Sequence, residues 1–387
     1  MGDKDPHNSK KKYMIPQQSY LHDDLIIEEI LTRLPVKSVL RFKSVSKQWY
    51  STLSSSDFAN AHLIKSPFSH PSAPVNTLFI MDFTSFYVFS YDDDQISGNF
   101  KDNLVKLNPG FSVEKDTLEL TGSCNGLVCL TSASAQYFIL WNPATRNLKK
   151  YGPHGYSKHF DKPNYVYVAS GFGYASSIDD YKYVGILIAY QKNKITDCIV
   201  CIFSLRENTW RKIDFGNDHI SVFGQALLVN EKLYWYAYSE EAGDLLLSFD
   251  LAVERFDVIY NMDLDRSDML GVMSGCLSII YCESDFSDVM HILEPPAIVK
   301  SIDLPEELNL DEDSEMIGFT KTGKFFVTGP LGYKAKGFNR TLGIVDTSTR
   351  PMKYTMLLRF NKLIEISRYV PSLLSPFPIE PSEGYIH

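Results

Sequence analysis

One local pattern recurs through the β-prone part of this chain and limits its fold more than any other feature. Each copy has an apolar residue followed by a small polar or acidic one, a short turn, then an apolar residue and a charged one. The clearest copies run Trp141-Asn142 to Leu148-Lys149, Phe203-Ser204 to Trp210-Arg211, Phe249-Asp250 to Phe256-Asp257 and Val345-Asp346 to Met352-Lys353, with the two apolar residues seven positions apart in each. Weaker copies lie at Phe89-Ser90 to Ile96-Ser97 and at Ile292 to Val299-Lys300. Apolar runs on both sides of a short turn mark a hairpin. The starts at 89, 141, 203, 249, 292 and 345 are separated by 43 to 62 residues, which is room for two hairpins per unit. Four strands and their turns need that length, and such a unit is one blade of a β-propeller. The starts predict about six blades over residues 76–376. A β-sandwich whose hairpins resemble one another by chance stays open, because the spacing is irregular.

The second hairpin of a unit is clearest at Leu227-Leu228-Val229, a turn at Asn230-Glu231-Lys232, and Leu233-Tyr234-Trp235-Tyr236. Ile317-Gly318-Phe319 and Phe325-Phe326-Val327, around Lys321-Thr322-Gly323-Lys324, form another. These pairs are expected as inner strands.

Ahead of this region the texture is helical. Leu25, Ile26, Ile30, Leu31 and Leu34 follow the i, i+3/i+4 rule of an amphipathic helix, with Asp23 or Asp24 placed to cap it, and Pro35 ends it. Val36 to Phe42 carries a second apolar stripe, and Ser44 to Leu53 a third through Val45, Trp49 and Leu53. Three short helices in a module of about 40 residues seldom build an adequate core of their own. Part of their apolar surface must meet another body. The resulting division is a tail at 1–19, an all-α module at 20–63, a Pro/Ser-rich linker at 64–75, the β-region at 76–376 and a tail at 377–387.

The run Leu34-Pro35-Val36-Lys37-Ser38-Val39-Leu40-Arg41-Phe42-Lys43, followed by Val45-Ser46-Lys47-Gln48-Trp49, resembles the F-box of plant F-box proteins. His22 departs from that family, which usually has proline after the leading leucine. Ser123-Cys124-Asn125-Gly126-Leu127-Val128-Cys129, Trp141-Asn142-Pro143-Ala144-Thr145-Arg146, Gly171-Phe172-Gly173-Tyr174 with Asp180-Tyr181-Lys182, and Tyr369-Val370-Pro371-Ser372-Leu373 resemble the F-box-associated, kelch-like domain of the same family, the S-locus F-box and F-box-kelch group. Residues 290–315 depart from it, being shorter and more acidic. The resemblance implies a small three-helix F-box followed by an all-β kelch-type propeller. It implies a substrate-recognition subunit of an SCF-type E3 ubiquitin ligase, itself non-catalytic. The F-box would bind the Skp-type adaptor, and through it cullin and RING subunits, with Leu25, Ile30, Leu34, Pro35, Val36, Leu40, Val45 and Trp49 as the adaptor contacts. The propeller would bind an unidentified target protein. A non-degradative interaction scaffold and a propeller lectin or enzyme are the alternatives.

Composition narrows the partners. A net charge of −9 argues against a nucleic-acid grip, and Lys10-Lys11-Lys12 reads as a solvated tail. Residues 1–20 lack the apolar stretch of a secretory signal, and no later run is long enough to cross a bilayer, so the cytoplasm or nucleus is expected. Six cysteines in 387 residues fit reduced thiols there. Cys198 and Cys201, the one CxxC pair, lie on a predicted strand, where residues three apart face opposite sides; buried thiols are expected, and no metal or cofactor. Gly171-x-Gly173 opens no helix and lacks the third glycine of a dinucleotide motif. Asp92-Asp93-Asp94 and Asp311-Glu312-Asp313 read as solvated loop runs, and the aromatic group Trp235, Tyr236 and Tyr238 as core.

Overall fold

A computed structural model describes residues 23–66 and, with short interruptions, 76–377. The helical part opens with α1 (Asp23–Leu25), which continues through a π-helical turn at Ile26–Ile30 and a 3-10 turn at Leu31–Arg33. Pro35 then starts α2 (Val36–Phe42), followed by α3 (Lys47–Leu53) and α4 (Ser56–Lys65). Ser46 and Ser55 cap α3 and α4, their hydroxyls accepting from the N–H groups of Trp49 at 3.1 Å and Phe58 at 3.2 Å. The expected third helix therefore begins at Lys47, and α4 is a further helix beyond the three expected. It closes the module. His62 Nε2 on α4 lies 2.8 Å from the Leu34 carbonyl, just past the end of the first helix, and the Lys65 ammonium donates to the Glu28 carbonyl at 2.8 Å, so α4 is tied by hydrogen bonds to the first helical stretch. Burial lowers the His62 pKa and favours a neutral ring. The Asp23 carboxylate, expected as a cap, accepts from the Trp49 indole at 3.5 Å.

Beyond Asn76 the chain's regular elements, among the described residues, are strands apart from one 3-10 turn at Phe100–Asn103. Its strands are β1 (Thr77–Asp82), β2 (Ser85–Ser90), β3 (Leu104–Leu107), β4 (Leu118–Cys124), β5 (Leu127–Ser132), β6 (Phe138–Asn142), β7 (Asn147–Tyr151), β8 (Tyr165–Ala175), β9 (Asp180–Gln191), β10 (Lys194–Ser204), β11 (Thr209–Asp214) and β12 (Ile220–Val229). They continue with β13 (Lys232–Ser239), β14 (Gly243–Asp250), β15 (Arg255–Ile259), β16 (Met269–Met273), β17 (Cys276–Tyr281), β18 (Val289–Glu294), β19 (Ala297–Asp303), β20 (Glu315–Phe319), β21 (Phe325–Pro330), β22 (Arg340–Asp346), β23 (Lys353–Phe360) and β24 (Glu365–Arg368). Four sheets have four antiparallel strands in the orders β24-β1-β2-β3, β4-β5-β6-β7, β16-β17-β18-β19 and β20-β21-β22-β23. A fifth, β11-β10-β9-β8-β12-β13-β14-β15, is two such meanders joined by a short parallel contact in which Gly224 faces Ala169. The first strands of these units, β4, β8, β12, β16 and β20, together with β24, surround a central cavity, giving a propeller-like domain.

The recurring sequence pattern is the outer hairpin of each meander. Trp141 pairs with Leu148, Phe203 with Trp210 and Phe249 with Phe256, so in these copies the seven-residue spacing is the cross-strand pair itself. The polar residue that follows closes the turn. Asn142 Oδ1 accepts from Ala144 and Thr145 N–H, Asp250 Oδ1 from Ala252 and Val253 N–H, and Ser204 Oγ from Glu207 N–H. Arg146, Asn208 and Glu254 then take positive φ of 65°, 52° and 57° to re-enter the next strand. The other copies are longer. Val345 pairs with Tyr354, Ile292 with Lys300 and Phe89 with Leu104, while Ile96 and Met352 lie outside the described residues.

Sheets pack through aromatic residues. Trp141 meets Phe86 at 5.4 Å and Phe79 at 5.8 Å, both edge-on, and Phe138 stacks on Tyr183 at 4.4 Å. A second cluster joins the two parts of the chain: Ile27, Leu31, Val36, Val39, Leu53 and Phe58 of the helices share one buried core with Phe138, Phe172, Phe203, Leu373 and Leu374.

Candidate docking surfaces

The helical module has an inner and an outer side. Ile27, Leu31, Val36, Val39 and Leu53 point inward, with Val36 only 5% exposed. Turned to solvent are Leu25 at 49%, Ile30 at 44% and Val45 at 58% exposure, together with Pro35, Phe42 and Tyr50. Leu34, Leu40 and Trp49 are half-buried between the two sides. Trp49 is held by the Phe42 ring, 6.1 Å away and edge-on. The eight residues expected at an adaptor interface thus divide into an exposed group, a half-buried group and Val36 in the core. Phe42 and Tyr50 are additional exposed apolar groups that the sequence reading did not single out as contacts; Phe42 lies in the F-box-like run and Tyr50 directly follows it.

The central cavity has a volume of about 1250 Å³ and is lined by β4, β8, β12, β16, β20 and β24, with Leu63 and Ile64 of α4 and Ser66 just after it also in its lining. Phe223 and Tyr236 present aromatic rings to it, beside Gln225, Glu315 and Arg368. Glu365, at the start of β24, accepts from the Leu120 N–H on β4. Burial, with smaller contributions from the Glu119 and Glu315 carboxylates, pushes its pKa up to about 7. Burial also lowers the Arg368 pKa.

An F-box domain matches residues 21–60, and an F-box associated beta propeller domain matches residues 76–292. The chain is a plant F-box protein of the F-box-associated β-propeller family. It is 28% identical over 278 residues to an F-box/kelch-repeat protein of Arabidopsis thaliana, covering 68% of this chain and 73% of the relative. The Arabidopsis thaliana F-box protein CPR1 is 27% identical over 291 residues, 68% of this chain and 67% of the relative. A solved nidogen/laminin complex overlays 75% of this chain and 98% of its own at a TM-score of 0.45 with 9% identity.

Within this F-box protein the other residues flagged by sequence have structural employment. Cys198 and Cys201 are buried in separate clusters on opposite faces of β10, and burial pushes the Cys201 thiol up to about 12. Among the described residues no group of His, Cys, Asp and Glu is placed to hold a metal ion, and no helix is long and apolar enough to cross a membrane. Gly171 and Gly173 are packing glycines. A Cβ on Gly171 would lie 2.7 Å from Leu233 and 3.0 Å from Trp235, and one on Gly173 2.6 Å from Leu228, so the two meanders of the fifth sheet meet closely there. Trp235 is core, its indole donating to the Ser170 carbonyl at 3.0 Å, whereas Tyr236 lines the cavity and Tyr238 is partly exposed. Asp93 is more than a solvated charge: its carboxylate accepts from the N–H and hydroxyl of Thr322, at 3.0 and 2.9 Å, tying two sheets together. Asp94 and the 311–313 run lie outside the described residues.

Proposed function

We propose that this chain is the substrate-recognition subunit of an SCF-type E3 ubiquitin ligase, working in the cytoplasm or nucleus. Its F-box docks on a Skp-type adaptor, and through it on cullin and RING subunits. A kelch-type propeller of six blades, the units counted from β24-β1-β2-β3 onward, holds the protein to be ubiquitinated. The observation that carries this reading is the two-sided F-box. One side is buried in the core it shares with the propeller, and the other leaves Leu25, Ile30, Phe42 and Val45 in water. Several large apolar side chains left in water on a small helical module whose other side is buried mark a surface that is covered in an assembly.

The ubiquitin-transfer chemistry belongs to the other subunits, and this chain supplies proximity. Holding a target beside a loaded conjugating enzyme replaces a bimolecular encounter by an effective concentration on the order of millimolar. The F-box core that continues into the propeller keeps that geometry defined.

The test uses the exposed residues, whose replacement leaves the core intact. Leu25→Asp combined with Val45→Asp is expected to weaken capture by a purified, immobilised Skp-type adaptor by tenfold or more, on the order of 2 kcal/mol, while the thermal midpoint stays unchanged. Undiminished capture by the double variant would sink the assignment.

A further inference from the structure

Two segments quoted above for their family resemblance, Trp141-Asn142-Pro143-Ala144-Thr145-Arg146 and Tyr369-Val370-Pro371-Ser372-Leu373, are joined by Asn142. This side chain is fully buried, and its Nδ2 donates to the Ser372 carbonyl at 3.0 Å and the Leu374 carbonyl at 2.8 Å. Its Oδ1 meanwhile closes the β6–β7 turn. The turns that start at Asp250 and Asp346 do that second task with a carboxylate, which only accepts. An amide stands where the turn must also donate to another stretch of chain.

The stretch it holds is the strap Tyr369–Phe377, which runs on from β24. Along it, the Tyr151 hydroxyl donates to the Pro376 carbonyl, and the Lys149 ammonium sits 5.8 Å from the Phe377 ring. Gly126, at φ +79°, leaves room for Ser372, whose hydroxyl a Cβ there would strike. Leu373 and Leu374 enter the same buried core as Ile27, Leu31, Val36 and Phe58 of the F-box. The strap is thus pinned to the propeller by its backbone, and its two leucines enter the core that the F-box and the propeller share.

We propose that the strap, anchored by Asn142, is the positioning element that fixes the F-box on the propeller and so sets the angle between the adaptor-binding and target-binding surfaces. This use of the angle rests on the receptor reading above; the mechanical coupling does not. Asn142→Asp separates the strap from the turn. The carboxylate keeps both turn hydrogen bonds, as Asp250 shows it can, but faces two carbonyl oxygens with no donor. A chain ending after Val370 removes the strap while keeping β24.

Hydrogen exchange followed by mass spectrometry on the full-length chain, free and bound to a purified Skp-type adaptor, tests this. In both variants the F-box amides of α2 and α4 are expected to exchange about tenfold faster, a loss of protection comparable to one or two hydrogen bonds. Exchange in β12–β15 and adaptor affinity, within about twofold, are expected to hold, since the variants touch neither. F-box protection that survives loss of the strap overturns the proposal. So does faster exchange throughout β12–β15 in Asn142→Asp, which would make Asn142 a general stabiliser. Wild-type chain that fails to bind the adaptor would defeat the receptor reading alone, leaving the exchange result to decide the coupling.

Discussion

Lys182 places a charged ammonium where only 2% of the residue is exposed, donating to the Leu251 carbonyl at 2.6 Å and to Glu254 Oε1 at 2.5 Å. Arg211 reaches the same carboxylate oxygen from β11. One glutamate in the β14–β15 turn therefore serves two cations from the neighbouring meander. Removing a single partner from a buried pair strands the other charge, and that is costlier than the pair is worth. Glu254→Ala is expected to lower stability by about 3 kcal/mol in urea unfolding. Lys182→Met should cost distinctly less, because Glu254 keeps Arg211 and the methionine fills the apolar space. Equal losses in the two variants would show that packing, not the stranded charge, sets the stability here. Lys182 was visible in sequence as part of Asp180-Tyr181-Lys182, but its partner lies 72 residues away, and nothing in a single chain links the two.

At the scale of elements, what could be read in advance was whatever is decided within about ten residues. The outer hairpins show this: where the turn is four residues long, as at Asn142, Ser204 and Asp250, apolar spacing gives the register directly. Where the turn is longer, as between Asp346 and Lys353, the same spacing misplaces the partner by two residues. Helix α4 escaped notice because its buried face, Phe58, Ala59 and His62, carries only one large apolar residue. Of the exposed F-box residues, Leu25, Ile30, Pro35 and Val45 were legible in the sequence, whereas Phe42 and Tyr50 were not singled out as contacts. The inward turn of Val36 was not legible, since it depends on the propeller behind it. Strand β24 adds an effect that no local pattern carries. Its Glu365 has a pKa raised from 4.5 to about 7 by burial and by Glu119 and Glu315. The folded state therefore holds this proton more tightly than the unfolded chain does, and stability falls as pH rises from about 4.5 to 7. Glu365→Gln keeps an acceptor for the Leu120 N–H without the charge. It is expected to raise stability at pH 8 by on the order of 2 kcal/mol and to leave it unchanged at pH 4, which thermal unfolding across pH measures directly. A gain of the same size at both pH values would place its origin in packing.

For the whole molecule the decisive feature is that the two ends of the β-region share one sheet. Strand β24 pairs antiparallel with β1 from Leu78 opposite Arg368 to Met81 opposite Glu365, so the last strand completes the sheet that the first one began. Ile366 inserts beside Leu78, Ile80 and Phe326, which join that sheet to its neighbour. The hairpin repeat announced the number of starts, but the first sheet has its innermost strand nearly 300 residues downstream of β1, a distance at which local pattern says nothing. Closure of this kind makes opening one seam equivalent to losing a whole interface. A chain ending after Ile364 would bare the edge of β1, whose residues Leu78 to Met81 are all buried in the intact protein. An exposed apolar edge templates pairing with other chains. The truncated chain is therefore expected to unfold roughly 10 °C lower than one ending after Val370, as several kcal/mol of lost pairing and burial predict for a domain this large. It should also run as soluble aggregate in size-exclusion chromatography, while the longer truncation stays monomeric. If the two truncations melt together and elute alike, the contacts among the other sheets, not β24, hold the ring shut.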